Sequence, residues 1–222
     1  MGILWLTGSS GELASEIREK YIKEGWTVVG FSRTGDSFSS AFFYSYPTDM
    51  TEEGFVERSF ARAAEEIGPP DSVIATVGGV RPWKMLTDTT MEDFRSLIDL
   101  NLLSFFLAAK HGMQQMTMGG AIISIGAEPA LEPSAKKGGY VAAKAGVIAL
   151  TRVAAEEGKA NRITANCIVP TIIRTKSNEE WGSTEDISKW TSPSDIASMC
   201  FFLTSEAGKA VNGAVIRMPG KM

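Results

Sequence analysis

Short apolar runs alternate with longer stretches of helical period along this chain, and few folds accept that alternation. A strand that feeds a helix and then a second strand returns parallel to the first, so repeated βα units build a parallel sheet clothed by helices on both faces. The apolar runs are Ile3 to Leu6, Thr27 to Phe31, Ala41 to Tyr46, Ser72 to Val77, Ala121 to Ile125, Ile163 to Val169 and Ala214 to Met218. The helical segments are Glu12 to Glu24, Glu52 to Ile67, Met91 to Met116, Tyr140 to Glu157 and Pro193 to Ser205, the last with Ser192 as its cap before a first-turn proline. The expected fold is α/β: a single-domain, doubly wound, Rossmann-like parallel sheet of about seven strands spanning 1–222. Only about ten residues separate the second and third runs, too few for a helical crossover, so the helix usual there is expected to be missing. The polar stretch Ser177 to Lys189, with Gly182 inside it, breaks the pattern and is a candidate lid.

A chain of 222 residues with 44% hydrophobic content builds one sizeable core. Its formal charge of −4, with Lys and Arg scattered, leaves no basic footprint for nucleic acid or an anionic membrane surface. Cys167 and Cys200 lie in apolar runs and read as buried free thiols, so neither a disulfide nor a metal site is expected. The opening run Ile3 to Leu6 is too short for a secretory or membrane segment, and Leu6 stands where myristoylation of Gly2 needs Ser or Thr. A cytoplasmic protein is expected. His111 has no visible partner and is expected on a helix surface.

The segment TGSSGELA places glycines at the turn between the first strand and the first helix. Gly8 permits a tight turn, Gly11 lets backbone approach a phosphate, and Ala14 allows close helix packing, while the helix N-terminus offers unpaired N–H donors. Thr7, Gly8, Ser10, Gly11, Glu12 and Leu13 are therefore candidate contacts to a dinucleotide, although the third glycine of the common fingerprint is absent. At the end of the second strand stand Ser32 and Arg33, where an acid would favour the free ribose of NAD. A hydroxyl and a guanidinium suit a 2′-phosphate instead, so NADP(H) is the preferred cofactor; Asp36, close by, keeps NAD(H) open. Asp49 follows the third strand, placed either to meet the adenine edge or to cap the next helix.

Tyr140 and Lys144 lie four apart at the start of a helical segment and so share one face. A phenol near pKa 10 is a weak acid at neutral pH, and a neighbouring ammonium is expected to draw it toward useful acid/base range.

Together TGSSGELA, the VGGV after the fourth strand, Asn101, YVAAKAGVIALTRVAAEE and the closing stretch ISKWTSPSDIASMCFFLTSEAGKAVNGAVIRMPG resemble the short-chain dehydrogenase/reductase family over nearly the whole chain. The resemblance implies an oxidoreductase with Tyr140 as proton donor, Lys144 binding the nicotinamide ribose, and Asn101 holding a water that feeds protons to the lysine. It also implies cofactor contacts at Gly78 and Gly79, and at Pro170, Ile173 and Thr175 in the loop that receives the nicotinamide, where Thr171 replaces the usual glycine. The family's catalytic serine is replaced by Ala127; Ser124 and Ser134 are the nearest hydroxyls. Losing one oxyanion donor lowers a rate by roughly 10²–10³, so an undemanding electrophile is favoured. Alanine at that position, the short loop after the second strand, VGG and GAEPAL are similar to the dihydropteridine reductase branch, whose quinonoid substrate would stack on Trp83, Trp181 or Trp190. The acceptor is thus expected to be a small carbonyl-like or quinonoid molecule. A general keto or 3-oxoacyl reductase is the alternative, and a non-catalytic NADP(H) sensor or scaffold is the alternative of another class. Apolar residues on more than one face of the helices holding Asn101 and Tyr140, with the family resemblance, imply a homodimer or homotetramer.

Overall fold

The computed structural model describes residues 2–36, 38 and 40–221. Seven strands, β1 (Ile3–Thr7), β2 (Thr27–Ser32), β3 (Phe43–Pro47), β4 (Ser72–Ala75), β5 (Gly120–Ile125), β6 (Ile163–Pro170) and β7 (Val215–Met218), form one sheet in the order β3-β2-β1-β4-β5-β6-β7. Every pairing is parallel. The helices are α1 (Glu12–Lys23), α2 (Glu53–Glu66), α3 (Met91–Ile98), α4 (Ser104–Gln115), α5 (Gly138–Glu157), α6 (Lys176–Glu179), α7 (Thr184–Lys189) and α8 (Pro193–Thr204).

Side chains alternate across a strand, so β1 sends Leu4 and Leu6 to one face and Trp5 to the other. Leu4 and Leu6 join Val28, Ile74, Ile123 and Ile168 beneath α1 and α8. Trp5 meets Phe31 and Phe60 edge-on, with ring centroids 5.6 and 4.8 Å away, beneath α2, α4 and α5. Both cores rest on one sheet, as the alternation of runs and helices requires.

One expected feature and three local departures from expectation have physical causes. No helix joins β2 to β3 among the described residues, as the short connection dictates. β3 starts at Phe43 rather than Ala41, because the Phe43 N–H closes a tight turn on the Ser40 carbonyl at 3.3 Å. The segment Met91 to Met116 is not one α-helix: a π-helical stretch, Asp99–Leu103, separates α3 from α4 and shifts the phase of the helix around Asn101. His111 is not on the surface but only 6% exposed, with its Nε2 facing Glu53 Oε1 on α2 at 3.4 Å. Its isolation in sequence concealed the packing of α4 against α2.

The expected cap of α8 is present, the Ser192 hydroxyl accepting from the Asp195 N–H at 3.1 Å. Cys167 and Cys200 are buried free thiols. No helix among the described residues is long and apolar enough to cross a membrane.

Candidate active site

From β1 the chain builds β2 and β3 to one side, then returns to place β4 on the other. A crevice opens where the winding reverses, outside the C-terminal ends of β1 and β4. Gly8 turns the chain out of β1 at φ +70°, donating its N–H to the Phe31 carbonyl at 2.8 Å. A Cβ there would lie 2.9 Å from Thr76 Oγ1 and 3.1 Å from the Val77 nitrogen, so only glycine brings the two turns this close. Gly11 opens α1, and no side chain caps that helix, which leaves its first N–H groups turned toward the crevice.

Tyr140 and Lys144 stand on the first turns of α5 and line the same cavity. Lys144 is buried, and its ammonium donates to the Ile125 carbonyl at 2.8 Å. Burial lowers its pKa from 10.5 to about 8, with the neighbouring Cys167 thiol opposing. Burial alone pushes the Tyr140 hydroxyl up to about 12. The expectation that the lysine draws the phenol downward is therefore corrected for the free protein: desolvation governs both groups.

Asn101 sits in the π-helical stretch, 1% exposed. Its Oδ1 accepts from the Gly79 N–H at 3.1 Å, and its Nδ2 donates to the Gly79 and Leu97 carbonyls, each at 2.9 Å. Both amide donors are spent, so its side chain pins the turn after β4. At Gly78 a Cβ would meet Asn101 Oδ1 at 2.8 Å and Lys144 Nζ at 3.1 Å, which draws the two polar groups and this glycine to one spot. Ala127 is buried and lines the cavity without a hydroxyl. Ser124 does not replace the missing serine, since its hydroxyl is bonded to Thr151 Oγ1 at 2.7 Å within the core. Ser134 is exposed and away from the cavity lining.

The cavity encloses about 740 Å³, within the range of small-molecule and cofactor sites. Of the residues expected there, Gly11, Glu12, Leu13, Gly78, Gly79, Tyr140, Lys144, Pro170, Ile173 and Thr175 line it. Thr7, Gly8 and Ser10 shape the adjoining turn, while Ser32, Arg33 and Asp49 lie off the lining. Ser32 is buried at the end of β2, and Arg33 is exposed. Asp49 accepts from the N–H and hydroxyl of Thr51 at 2.9 and 2.7 Å, bonds that hold its carboxyl below the usual carboxylate range. Asp36 is turned inward: Ser9 and Ser45 donate to its carboxylate at 2.6 and 3.1 Å, and Arg18 lies 3.8 Å away. Trp83 and Trp181 both line the cavity, and their rings meet nearly perpendicular at 6.3 Å. Trp190 instead is buried behind Trp181, where it packs.

Sequence reasoning missed Arg81, Pro129, Lys137 and Asn178, which also line the cavity. They come from separate segments that only folding brings together, and nothing in their local pattern sets them apart. A dinucleotide fits these residues. The Gly8 turn and uncapped α1 terminus suit a phosphate, and the Lys144 ammonium has two N–H donors beyond the one given to Ile125.

Comparison with known proteins agrees with this geometry. The family model described as enoyl-(acyl carrier protein) reductase matches residues 14–220. A cis-4-hydroxycyclohexanecarboxylate dehydrogenase of Sinomonas cyclohexanicum is 30% identical over 183 residues, 78% of this chain and 74% of that one. The 3-oxoacyl-[acyl-carrier-protein] reductase MabA of Mycobacterium tuberculosis is 28% identical over 228 residues, 98% of this chain and 91% of that one. Among solved structures, ElxO with NADP bound superposes with a TM-score of 0.90 at 24% identity, covering 99% of this chain and 98% of that chain.

Proposed function

The chain belongs to the short-chain dehydrogenase/reductase family of NAD(P)-dependent oxidoreductases, and on that premise we propose that it reduces a small carbonyl-like or quinonoid acceptor, with NADPH as preferred reductant and Tyr140 as proton donor. The observation that carries this reading is the presence of Tyr140 and Lys144 on one wall of the cavity, with Asn101 pinning the opposite turn. A bound nicotinamide supplies the hydride. Tyr140, raised to about 12, stays protonated at neutral pH, the state that a donor needs. Lys144 offers its free N–H groups to ribose hydroxyls beside the phenol, and Asn101 acts by holding Gly78 and Gly79 against that lysine.

NADPH is favoured because Arg33 is exposed at the end of β2, while the nearest acid, Asp36, spends its carboxylate on Ser9, Ser45 and Arg18. The polar stretch holding α6 and α7 acts as a lid, since Asn178 and Trp181 reach the cavity from it. Phe106 and Val153, 43% and 47% exposed on α4 and α5, favour pairing of these helices in a homodimer or homotetramer. A keto reductase of the 3-oxoacyl type is the second reading, favoured by the name of the mycobacterial relative.

Initial rates with ketones, a 3-oxoacyl thioester and a quinonoid dihydropterin, each run with NADPH and NADH, test the proposal. Turnover of the quinonoid compound or a simple carbonyl, faster with NADPH, is expected. Absence of turnover with every acceptor and both cofactors refutes it. Ala127→Ser separates the two readings: a large gain on ketones marks the lost serine as a defect, and no gain marks a different electrophile.

A further inference from the structure

Ion pairs account for many of the cations near the cavity: Lys84 bonds Asp93 at 2.6 Å, Arg174 bonds Glu179 at 2.7 Å and Lys189 bonds Glu185 at 2.8 Å. Two cations that line the cavity itself are different. Arg81 and Lys137 have no carboxylate partner among the described residues, in a chain with 26 acidic residues against 22 basic. Both flank one indole, with the Arg81 guanidinium carbon 5.8 Å and the Lys137 ammonium 5.4 Å from the centre of the Trp83 ring.

Their placement is fixed by backbone. The Lys84 N–H donates to the Lys136 carbonyl at 3.1 Å, and Lys84 forms an isolated parallel bridge with Lys137. The loop bearing Arg81 and Trp83 is thereby tied to the loop that enters α5. Lys136 adopts φ +66°, a left-handed turn unfavourable for a side chain, immediately before Lys137 at the start of the Tyr140 helix. Lys137 thus stands three residues before the proposed proton donor. Two positive groups on the cavity wall, flanking one indole and neither spent on a carboxylate among the described residues, favour an anionic group brought into that cavity.

We infer that Arg81 and Lys137 hold an anionic group, a carboxylate or phosphate, on the acceptor, with Trp83 beneath its carbon skeleton. The inference rests on the proposed function for the identity of that acceptor. The guanidinium is the fork for two anionic oxygens and the ammonium the point charge. The acceptor is therefore a keto acid or a phosphorylated carbonyl compound rather than a neutral ketone.

Calorimetric titration with benzoate, phenyl phosphate and benzyl alcohol tests binding without requiring turnover. The two anions are expected to bind at least about tenfold more tightly than the alcohol, one charge-assisted contact being worth that factor. The stronger of the two identifies the anion. Arg81→Gln and Lys137→Gln should each erode this preference, Arg81→Lys should keep most of it, and the double variant Arg81→Glu/Lys137→Glu should exchange it for benzylammonium. In turnover, the acid-to-methyl-ester ratio of kcat/KM for a keto acid should fall toward one in the Gln variants. Equal binding of anions and alcohol by the wild type overturns the inference, as does a preference that survives both Gln substitutions. Selective binding of anions with no turnover of any carbonyl compound supports the anion site and refutes the oxidoreductase reading instead.

Discussion

An ammonium buried beside one carbonyl is unfavourable, and Lys144 is in that position. Its pKa falls from 10.5 to about 8 on folding. Below about 8 the group is charged in both states and the full penalty applies, on the order of 3 kcal/mol at about 1.4 kcal/mol per pH unit. Between 8 and 10.5 the unfolded chain binds more protons than the folded one, so the penalty shrinks as pH rises. Lys144→Met should consequently melt higher than wild type at pH 7, have lost turnover, and show a stability advantage that narrows across that window. A variant that melts no higher at pH 7 contradicts the penalty. In the wild type, kcat/KM for reduction should decline as pH climbs through about 8, because Lys144 loses its charge there while Tyr140, near 12, keeps its proton. Tyr140→Phe should lower kcat by roughly 10²–10⁴ with an unchanged melting temperature; full activity in that variant removes the phenol from the chemistry.

At the scale of elements, the turn between β1 and α1 tolerates no side chain at its first glycine. Gly8→Ala places a methyl 2.9 Å from Thr76 Oγ1 in a left-handed backbone, and the conformation alone costs about 1–2 kcal/mol. Thermal melting and dinucleotide titration should show lower stability and weaker binding together. The strands and long helices were legible in sequence because burial on both faces leaves unbroken apolar runs in the strands, and helices keep their own period. Tyr140 and Lys144 were legible for a similar reason: both belong to one helix, where four residues make one turn. What escaped depends on contacts between distant segments. The π-helical stretch at Asn101 has no proline or glycine to announce it, His111 is buried where α4 packs on α2, and Asp36 is enclosed by Ser9, Ser45 and Arg18. Arg81 and Lys137 lie 56 residues apart in number, and the Lys84 to Lys136 bond ties their loops together.

The whole molecule is two apolar layers sharing one sheet, so neither layer has a floor of its own. Phe60→Ala in one layer and Leu203→Ala in the other should each cost about 2–5 kcal/mol and lower a single calorimetric transition. Two resolved transitions in either variant would mean that the layers melt independently. β3 is one of the two edge strands and pairs only with β2 among the described residues. With no helix among the described residues of the preceding connection, Phe42 and Tyr44 remain 47% and 42% exposed along that margin. Such a strand resembles a half-closed zipper, whose unpaired backbone offers an identical strand from a crowded neighbour a place to add itself. Pro47 leaves one tooth without an N–H at the far end, a modest guard against growth of the sheet from molecule to molecule.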